Sequence, residues 1–120
     1  MKILMLEDQE VKIEMIQKRC EDRGDEFTAV GTVEEFAELI HAGPYDVILL
    51  DHDLGYGKNG VHAVGCMCAE QGYRCRVYVH SGNIVEAPKM VKALREGLFR
   101  AYQIDFLSMW EGLKDPDWEW

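Results

Sequence analysis

The segment DVILLDHDLG, residues 46–55, decides the fold of this chain. Its four consecutive apolar residues, Val47–Leu50, are typical of a parallel strand that is buried on both faces. The strand ends abruptly at Asp51, His52 and Asp53, which precede a glycine-rich loop. Two carboxylates and an imidazole do not help a core to pack, and ligands bind at the carboxyl ends of the strands in open α/β sheets. The sequence therefore predicts a ligand site at the end of this strand.

Length and charge limit the class of protein. The 120 residues suffice for one domain with a buried core. There are 13 Lys and Arg against 22 Asp and Glu, a formal net charge of -9, which argues against bulk binding of a nucleic-acid backbone. That charge suits a divalent cation, a small anion accompanied by a cation, or a basic protein partner. No apolar run reaches the roughly 18 residues of a membrane span, and Glu7 follows Met1–Leu6 too soon for a signal peptide, so we expect a cytoplasmic protein.

The cysteines do not predict a zinc site or a disulfide. Cys66 and Cys68 lie two residues apart on a predicted helix and therefore point to different faces, which makes them a poor pair of metal ligands. In a cytoplasmic protein we expect Cys20, Cys66, Cys68 and Cys75 to be reduced and mostly buried thiols.

Apolar strand and helix patterns alternate along the chain up to about residue 97. Strands are predicted at 2–6, 27–30, 47–50 and 76–80. Helices are predicted at 9–23, 33–41, 60–71 and 88–96, with start and stop signals at Gly24, Thr32, Asn59, Gly72 and Pro88. This order predicts a doubly wound parallel sheet with helices on both faces, a three-layer α/β sandwich.

The pattern weakens after residue 97. A fifth strand within 99–104 is left open, and a last helix is expected within 106–113. We divide the chain into an α/β domain at 1–104 and an acidic extension at 105–120 that carries Trp110, Trp118 and Trp120. Two interpretations of these tryptophans remain: they anchor a protein partner or a homodimer, or Trp110 completes the core while the last residues fray.

Carboxylates are predicted at the ends of two neighbouring strands. Glu7 and Asp8 follow the first strand, and Asp51 follows the third. Because adjacent strands lie about 4.8 Å apart, these side chains can share one small ion, and they repel one another unless a cation neutralises them. Oxygen ligands favour Mg²⁺ or Mn²⁺ over zinc, and the nearby histidines make Mn²⁺ worth testing. The alternative is a solvated acidic rim.

The turn after the fourth strand predicts an anion site. Ser81, Gly82 and Asn83 offer a hydroxyl and successive backbone N–H groups at a strand-to-helix turn. Beside a divalent cation, such a turn is typical of a phosphoryl site. The facing loop is rich in glycine and carries Lys58 as a candidate cation, although a flexible turn explains the glycines equally well.

His52 and His80 are candidates for proton transfer to a leaving oxygen, because an imidazole titrates near neutral pH. Strand alternation favours the opposite interpretation. If Asp51 and Ser81 point into the site, His52 and His80 start on the other faces of their strands. Functional and structural roles therefore both remain open for these two residues.

The chain resembles the receiver domain of two-component response regulators over about residues 1–100. Glu7 and Asp8 match that family's acidic pair, Asp51 its phosphoacceptor aspartate, and Ser81 the Thr or Ser that ends its fourth strand. The resemblance implies a flavodoxin-like receiver fold.

The chain also departs from ordinary receiver domains. Their fifth strand ends with a lysine that contacts the phosphoryl group and is followed by proline, whereas Gln103, Ile104 and Asp105 stand roughly there in this sequence. The proline of the usual loop after the phosphoacceptor is replaced by Gly55.

The sequence is more similar to a divergent family, the cyclic-phosphate processing receiver domains, which occur in short bacterial and phage proteins. Members carry Asp-His-Asp-Leu-Gly, found here at 51–55, and His-Ser-x-Asn, found here at 80–83, followed by a methionine that Met90 matches. Ile84 stands where the family usually has proline. This resemblance implies action on a cyclic phosphate, at an RNA end or in a cyclic nucleotide.

Three functions follow as hypotheses. The first is a metal-dependent phosphoesterase. In it, Mg²⁺ or Mn²⁺ is held by Glu7, Asp8 and Asp51, and protons are moved by His80 and His52. Asp53 orients an adjacent imidazole or adds a contact to the metal. Phosphoryl oxygens are bound by Ser81, Gly82, Asn83 and Lys58. A variant of this hypothesis has Asp51 attack phosphorus directly. The second function is a receiver phosphorylated on Asp51, which the missing lysine disfavours. The third is a non-catalytic module that binds a cyclic nucleotide or a protein.

Overall fold

The computed structural model describes residues 1–55, 57–70 and 75–120, in which strands and helices alternate strictly. The strands are β1 (Lys2–Leu6), β2 (Glu26–Val30), β3 (Val47–Leu50), β4 (Arg76–Val79) and β5 (Arg100–Gln103). The helices are α1 (Glu10–Arg23), α2 (Val33–Ala42), α3 (Gly60–Ala69), α4 (Glu86–Glu96) and α5 (Phe106–Gly112). All strand pairs are parallel, in the order β2-β1-β3-β4-β5. This is the flavodoxin-like doubly wound order, and it confirms the predicted fold class.

Local signals in the sequence set most of the helix bounds. Thr32 accepts a hydrogen bond from the backbone N–H of Glu35 at the start of α2, and Asn59 accepts one from Val61 at the start of α3. Gly24 ends α1 with a φ of 76°, a left-handed conformation that favours glycine. Residues 71 and 72, where we expected α3 to end, lie outside the described residues.

Helix α4 starts earlier than the sequence predicted. Pro88 was expected to be its first residue, but the helix begins at Glu86. The cause is Asn83, whose side-chain oxygen accepts hydrogen bonds from the N–H groups of Val85 and Glu86. These bonds satisfy donors that a helix start leaves free, so the helix forms before the proline.

The fifth strand, which the sequence left open, does form. β5 pairs in parallel with β4 at the edge of the sheet. Its sequence signal is weak because only Ala101 of its four residues is buried. An edge strand with one covered residue lacks the continuous apolar run of a central strand.

The sheet separates two hydrophobic clusters. Alternate residues of β1, β3 and β4 face α2, α3 and α4 on one side, and the others face α1 and α5 on the second side. The second cluster also contains Trp120, which is 6% exposed, with Trp110 and Trp118 packed against it. Arg23 donates hydrogen bonds to the carbonyl oxygens of Asp115 and Trp118, which ties the end of the chain to α1.

The last residues therefore do not fray as one interpretation expected, because Trp120 is part of the core, and the role of the three tryptophans as partner anchors stays a prediction. The division of the chain after residue 104 stays a prediction. None of the four cysteines forms a disulfide, and only Cys20 and Cys75 are buried, since Cys66 is half-buried and Cys68 is exposed. Within residues 1–55, 57–70 and 75–120, no helix combines the length and apolar character that a membrane span needs.

Candidate functional site

Strand register places three polar residues in one row at the carboxyl edge of the sheet. Leu6 pairs with Leu50, and Leu50 pairs with Val79. The next residue of each strand continues this register, because the N–H of Asp51 donates to Leu6 and the N–H of His80 donates to Leu50. Glu7, Asp51 and His80 are therefore neighbours across β1, β3 and β4. Strand alternation predicts His80 on the face opposite Asp51, which the observed register corrects, although Ser81 also reaches Asp51 through a hydrogen bond.

Glu7, Asp8 and Asp51 come together as the sequence predicted. One carboxylate oxygen from each lies within 4.8 Å of the others. Glu7 is fully buried and Asp51 is 6% exposed, whereas Asp8 is exposed. Burial, and then the charge of Asp51, raise the pKa of Glu7 to about 7. Burial also raises the pKa of Asp51.

The oxygen atoms of this cluster suit a hard divalent cation. Glu7 Oε2 accepts hydrogen bonds from the N–H groups of Asp8 and Gln9, but its buried Oε1 has no hydrogen-bond partner among the described residues. The loop after β3 closes over the cluster at Gly55, where a Cβ would lie 3.1 Å from Asp8 Oδ2 and where φ is +31°. A buried carboxylate oxygen without a hydrogen bond, together with two further carboxylates, forms a set of oxygen ligands that suits Mg²⁺.

Lys12 is the cation that faces this cluster, and the sequence analysis missed it. Its Nζ lies 3.8 Å from Glu7 Oε1 and 5.3 Å from the centroid of the Phe106 ring. Its charge lowers the pKa of Glu7 and of Asp51, although burial outweighs this effect. The sequence does hold one signal for this role. No lysine ends β5, so a lysine elsewhere near the acidic pair is a candidate to replace it, and Lys12 follows that pair closely at the start of α1.

Lys58, the cation that the sequence predicted, pairs with α2 instead. Its Nζ lies 3.8 Å from Glu34 Oε1, and both side chains are more than half exposed. Such a pair contributes little to stability. So weak a pair does not prevent Lys58 from binding an anion, and its role as a ligand of the phosphoryl group stays a prediction.

His52 is held by a neighbouring carboxylate. Its Nδ1 lies 2.7 Å from Asp53 Oδ1, and the side-chain nitrogen of Asn83 lies 3.5 Å from the same Nδ1. The hydrogen bond from His52 lowers the pKa of Asp53, so this carboxylate is ionised and can only accept. Nδ1 therefore carries a proton, and Nε2 is the ring nitrogen left for proton exchange.

His80 has a different environment. It is 2% exposed, its ring centroid lies 6.0 Å from that of Phe106, and neither ring nitrogen has a hydrogen-bond partner among the described residues. Burial lowers the pKa of His80 to about 3. A base with so low a pKa is inefficient near neutral pH, which disfavours proton transfer by His80, and this role stays a prediction.

The turn at residues 81–83 connects the carboxylates to His52. The hydroxyl of Ser81 forms a hydrogen bond with Asp51 that lowers the pKa of that carboxyl, and its oxygen accepts a hydrogen bond of 3.1 Å from the N–H of Asn83. Asn83 in turn contacts His52, and Gly82 between them is exposed. The side chains of Ser81 and Asn83 therefore link the carboxylate cluster to the imidazole of His52.

Comparison with known proteins supports the resemblance stated from the sequence. The family model described as "Cyclic-phosphate processing Receiver domain" matches residues 2–96. A search of curated proteins finds no match.

Solved receiver domains share the fold. The phosphorylated cyanobacterial phytochrome response regulator RcpA is 21% identical, with a TM-score of 0.75, over 94% of this chain and 88% of that chain. The receiver domain of the sensor histidine kinase PA1611 from Pseudomonas aeruginosa, with a magnesium ion in its active site cleft, is 19% identical, with a TM-score of 0.71, over 94% and 93%. TrrA from Thermotoga maritima, in complex with Mg²⁺ and BeF, is 18% identical, with a TM-score of 0.69, over 96% and 97%.

Proposed function

This chain belongs to the cyclic-phosphate processing receiver domain family, and we propose that it is a metal-dependent phosphoesterase that opens a cyclic phosphate at an RNA end or in a cyclic nucleotide. The observation that carries this proposal is the imidazole of His52, fixed through Nδ1 by Asp53 at the edge that holds the carboxylate cluster. A receiver that only accepts a phosphoryl group on Asp51 has no need of an oriented imidazole. A hydrolase does, because a proton must leave the attacking water.

Glu7, Asp8 and Asp51 would hold the metal ion, which when bound supplies a positive charge that polarises a phosphoryl oxygen. Mg²⁺ is favoured by the oxygen ligands, and a receiver domain of the same fold binds it in its active site cleft. Mn²⁺ accepts the same oxygens and is the second metal to test.

Phosphoryl oxygens would be bound by the turn at 81–83 and by Lys12. The turn offers the hydroxyl of Ser81 and backbone N–H groups, and Lys12 supplies the positive charge that the end of β5 lacks. These donors would face the non-bridging oxygens, where negative charge grows as the phosphorus centre reacts.

His52 would act as the general base. Nε2 takes a proton from water as the water oxygen forms a bond to phosphorus, and the bond from phosphorus to one ring oxygen breaks. The released alkoxide takes a proton from solvent and His52 releases its proton to solvent, which gives a phosphate monoester and a free hydroxyl group and restores the base. Asp53 keeps a proton on Nδ1, so that Nε2 is the ring nitrogen that takes the proton from water.

The test is hydrolysis of 2′,3′-cyclic nucleoside phosphates and 3′,5′-cyclic nucleotides with Mg²⁺ or Mn²⁺, followed by chromatography. We expect metal-dependent opening that falls by roughly 10²–10⁴-fold in His52→Ala and less in Asp53→Asn. His41→Ala, an exposed histidine on α2, is the matched control. Wild-type protein that opens none of these substrates with either metal contradicts the proposal.

A second candidate function, phosphorylation of Asp51, has one observation in its favour. Asp51 ends the central strand β3 beside Lys12 and Ser81, in a fold shared with the phosphorylated regulator RcpA. Treatment with acetyl phosphate and Mg²⁺, followed by intact mass measurement, tests it. A stable added phosphoryl group that is absent in Asp51→Asn would favour this function over hydrolysis.

A further inference from the structure

A cleft of about 440 Å³ opens on the α1 and α5 side of the sheet, next to the phosphoryl site. Its walls include Val11, Met15, Phe106 and Leu107, and its inner end is formed by His80 and Ser81. We call this the α1–α5 cleft. Ser81 lines the cleft and also forms a hydrogen bond with Asp51, and Lys12 lines the cleft and faces Glu7, so the cleft is adjacent to the carboxylate cluster. Its volume falls within the range of small-molecule sites, about 300–1,000 Å³.

The cleft combines apolar walls with a buried polar ring. Val11 and Leu107 are 70% and 58% exposed, so this fold leaves both aliphatic side chains in solvent. His80 is buried at the inner end with both ring nitrogens lacking a partner among the described residues. Buried polar atoms normally find a hydrogen-bond partner, so two ring nitrogens without one at the end of a cleft need an explanation, which a ligand that binds in the cleft would supply.

Charges around the cleft favour a ligand whose far end carries no phosphate. Lys12 stands at the junction, between Glu7 and the ring of Phe106. Further out, the cleft is lined by the carboxylate of Asp105 and the amide of Gln9. Asp105 caps α5 through Oδ2, which accepts from the N–H of Ser108. Its negative charge repels a second phosphate group, while its oxygens and the amide can bind the N–H and carbonyl groups of a neutral ring.

We propose that the α1–α5 cleft binds the nucleobase of a nucleotide whose phosphate lies at Asp51. This inference rests on the proposed function, which supplies the position of the phosphate at Asp51. A nucleobase has flat apolar faces and a polar edge. These match the aliphatic walls of the cleft and the unpartnered imidazole of His80 at its inner end. The acidic outer rim selects a single terminal nucleotide over a continuing phosphate backbone. The substrate class is therefore a nucleoside cyclic phosphate rather than a small cyclic phosphate without a base.

Binding measured by calorimetry in Mg²⁺ tests this inference without relying on turnover. The probes are the four nucleoside 3′-monophosphates and glycerol 2-phosphate, which has the same charged group but no base. Val11→Trp and Leu107→Trp each fill the cleft from a solvent-exposed position, and Val61→Trp is the matched control on α3, on the other side of the sheet. Circular dichroism confirms that each variant is folded.

We expect at least one nucleotide to bind roughly tenfold more tightly than glycerol 2-phosphate. Both cleft variants should remove this preference and leave glycerol 2-phosphate binding unchanged, while Val61→Trp behaves as the wild type. Equal affinity for all probes, a preference that survives both cleft variants, or no binding of any probe overturns the inference. Failure of the proposed function has a different result: nucleotides bind with the base preference, but no cyclic phosphate is opened.

Discussion

The carboxyl groups of Glu7 and Asp51 lie side by side at the ends of β1 and β3, and burial raises the pKa of both. For Glu7 the charge of Asp51 adds to the effect, and its pKa reaches about 7. The pair therefore retains a proton near neutral pH when no cation is bound. A divalent cation that binds there must displace this proton.

Magnesium uptake should consequently depend on pH. Below the pKa of about 7 for Glu7, we expect the apparent affinity for Mg²⁺ to fall by up to about tenfold for each pH unit, because each bound ion releases one proton. Calorimetry in two buffers with different ionisation enthalpies measures the released proton directly. The same affinity at pH 6 and pH 8, with no proton released, would contradict this account of the pair.

The same proton affects the stability of the metal-free protein. The pKa of Glu7 is higher in the folded state than its ordinary value of 4.5, so the contribution of Glu7 to stability is fully present below pH 4.5 and is lost as the pH rises through about 7. At pH 8 the loss is at most about 3 kcal/mol. Glu7→Gln, which cannot ionise, should raise Tm at pH 8 and leave it nearly unchanged at pH 4.

The exposed Glu10 on α1 provides the control for this stability measurement. Glu10→Gln should leave the pH dependence of Tm as it is in the wild type. If Glu7→Gln lowers Tm at pH 8, the hydrogen bonds that Glu7 accepts from Asp8 and Gln9 dominate over the charge.

Lys12 should contribute to anion binding in a way that other lysines of α1 do not. Its ammonium group faces Glu7, whereas Lys18 on the same helix is exposed. We expect Lys12→Gln to weaken binding of inorganic phosphate in the presence of Mg²⁺ by roughly tenfold, and Lys18→Gln to have little effect. Phosphate titrations followed by NMR chemical shifts measure both variants under one condition. Equal effects of the two substitutions would assign the binding to general surface charge.

The sequence predicted those site residues whose position follows from a strand end. Glu7, Asp8 and Asp51 directly follow apolar strands, and parallel strands bring their carboxyl ends to one edge, so no further information was needed. The face that His80 occupies depends on the register between β3 and β4, which a single chain does not reveal. Lys12 reaches the cluster from a helix, through a long side chain whose direction is set by packing against Phe106.

Gly60 couples the packing of the fold to the geometry of the site. It starts α3 directly under the end of β3, where a Cβ would overlap with the carbonyl oxygen of Asp51 and lie 2.8 Å from His52 Cα and 2.6 Å from Met90 Cε. The backbone atoms of Asp51 and His52 cannot move aside without shifting these two residues, which carry the proposed chemistry.

We therefore expect Gly60→Ala to destabilise the protein by about 1–3 kcal/mol, as overpacking does, and to weaken Mg²⁺ binding as well. Gly65 in the same helix is the matched control, because a Cβ there meets nothing within 4 Å and alanine should add roughly 0.5–1 kcal/mol of stability. Urea unfolding and calorimetry give both quantities. If Gly60→Ala lowers stability while Mg²⁺ affinity stays unchanged, the end of β3 can shift without moving the carboxylate of Asp51, and Gly60 serves only the packing of α3.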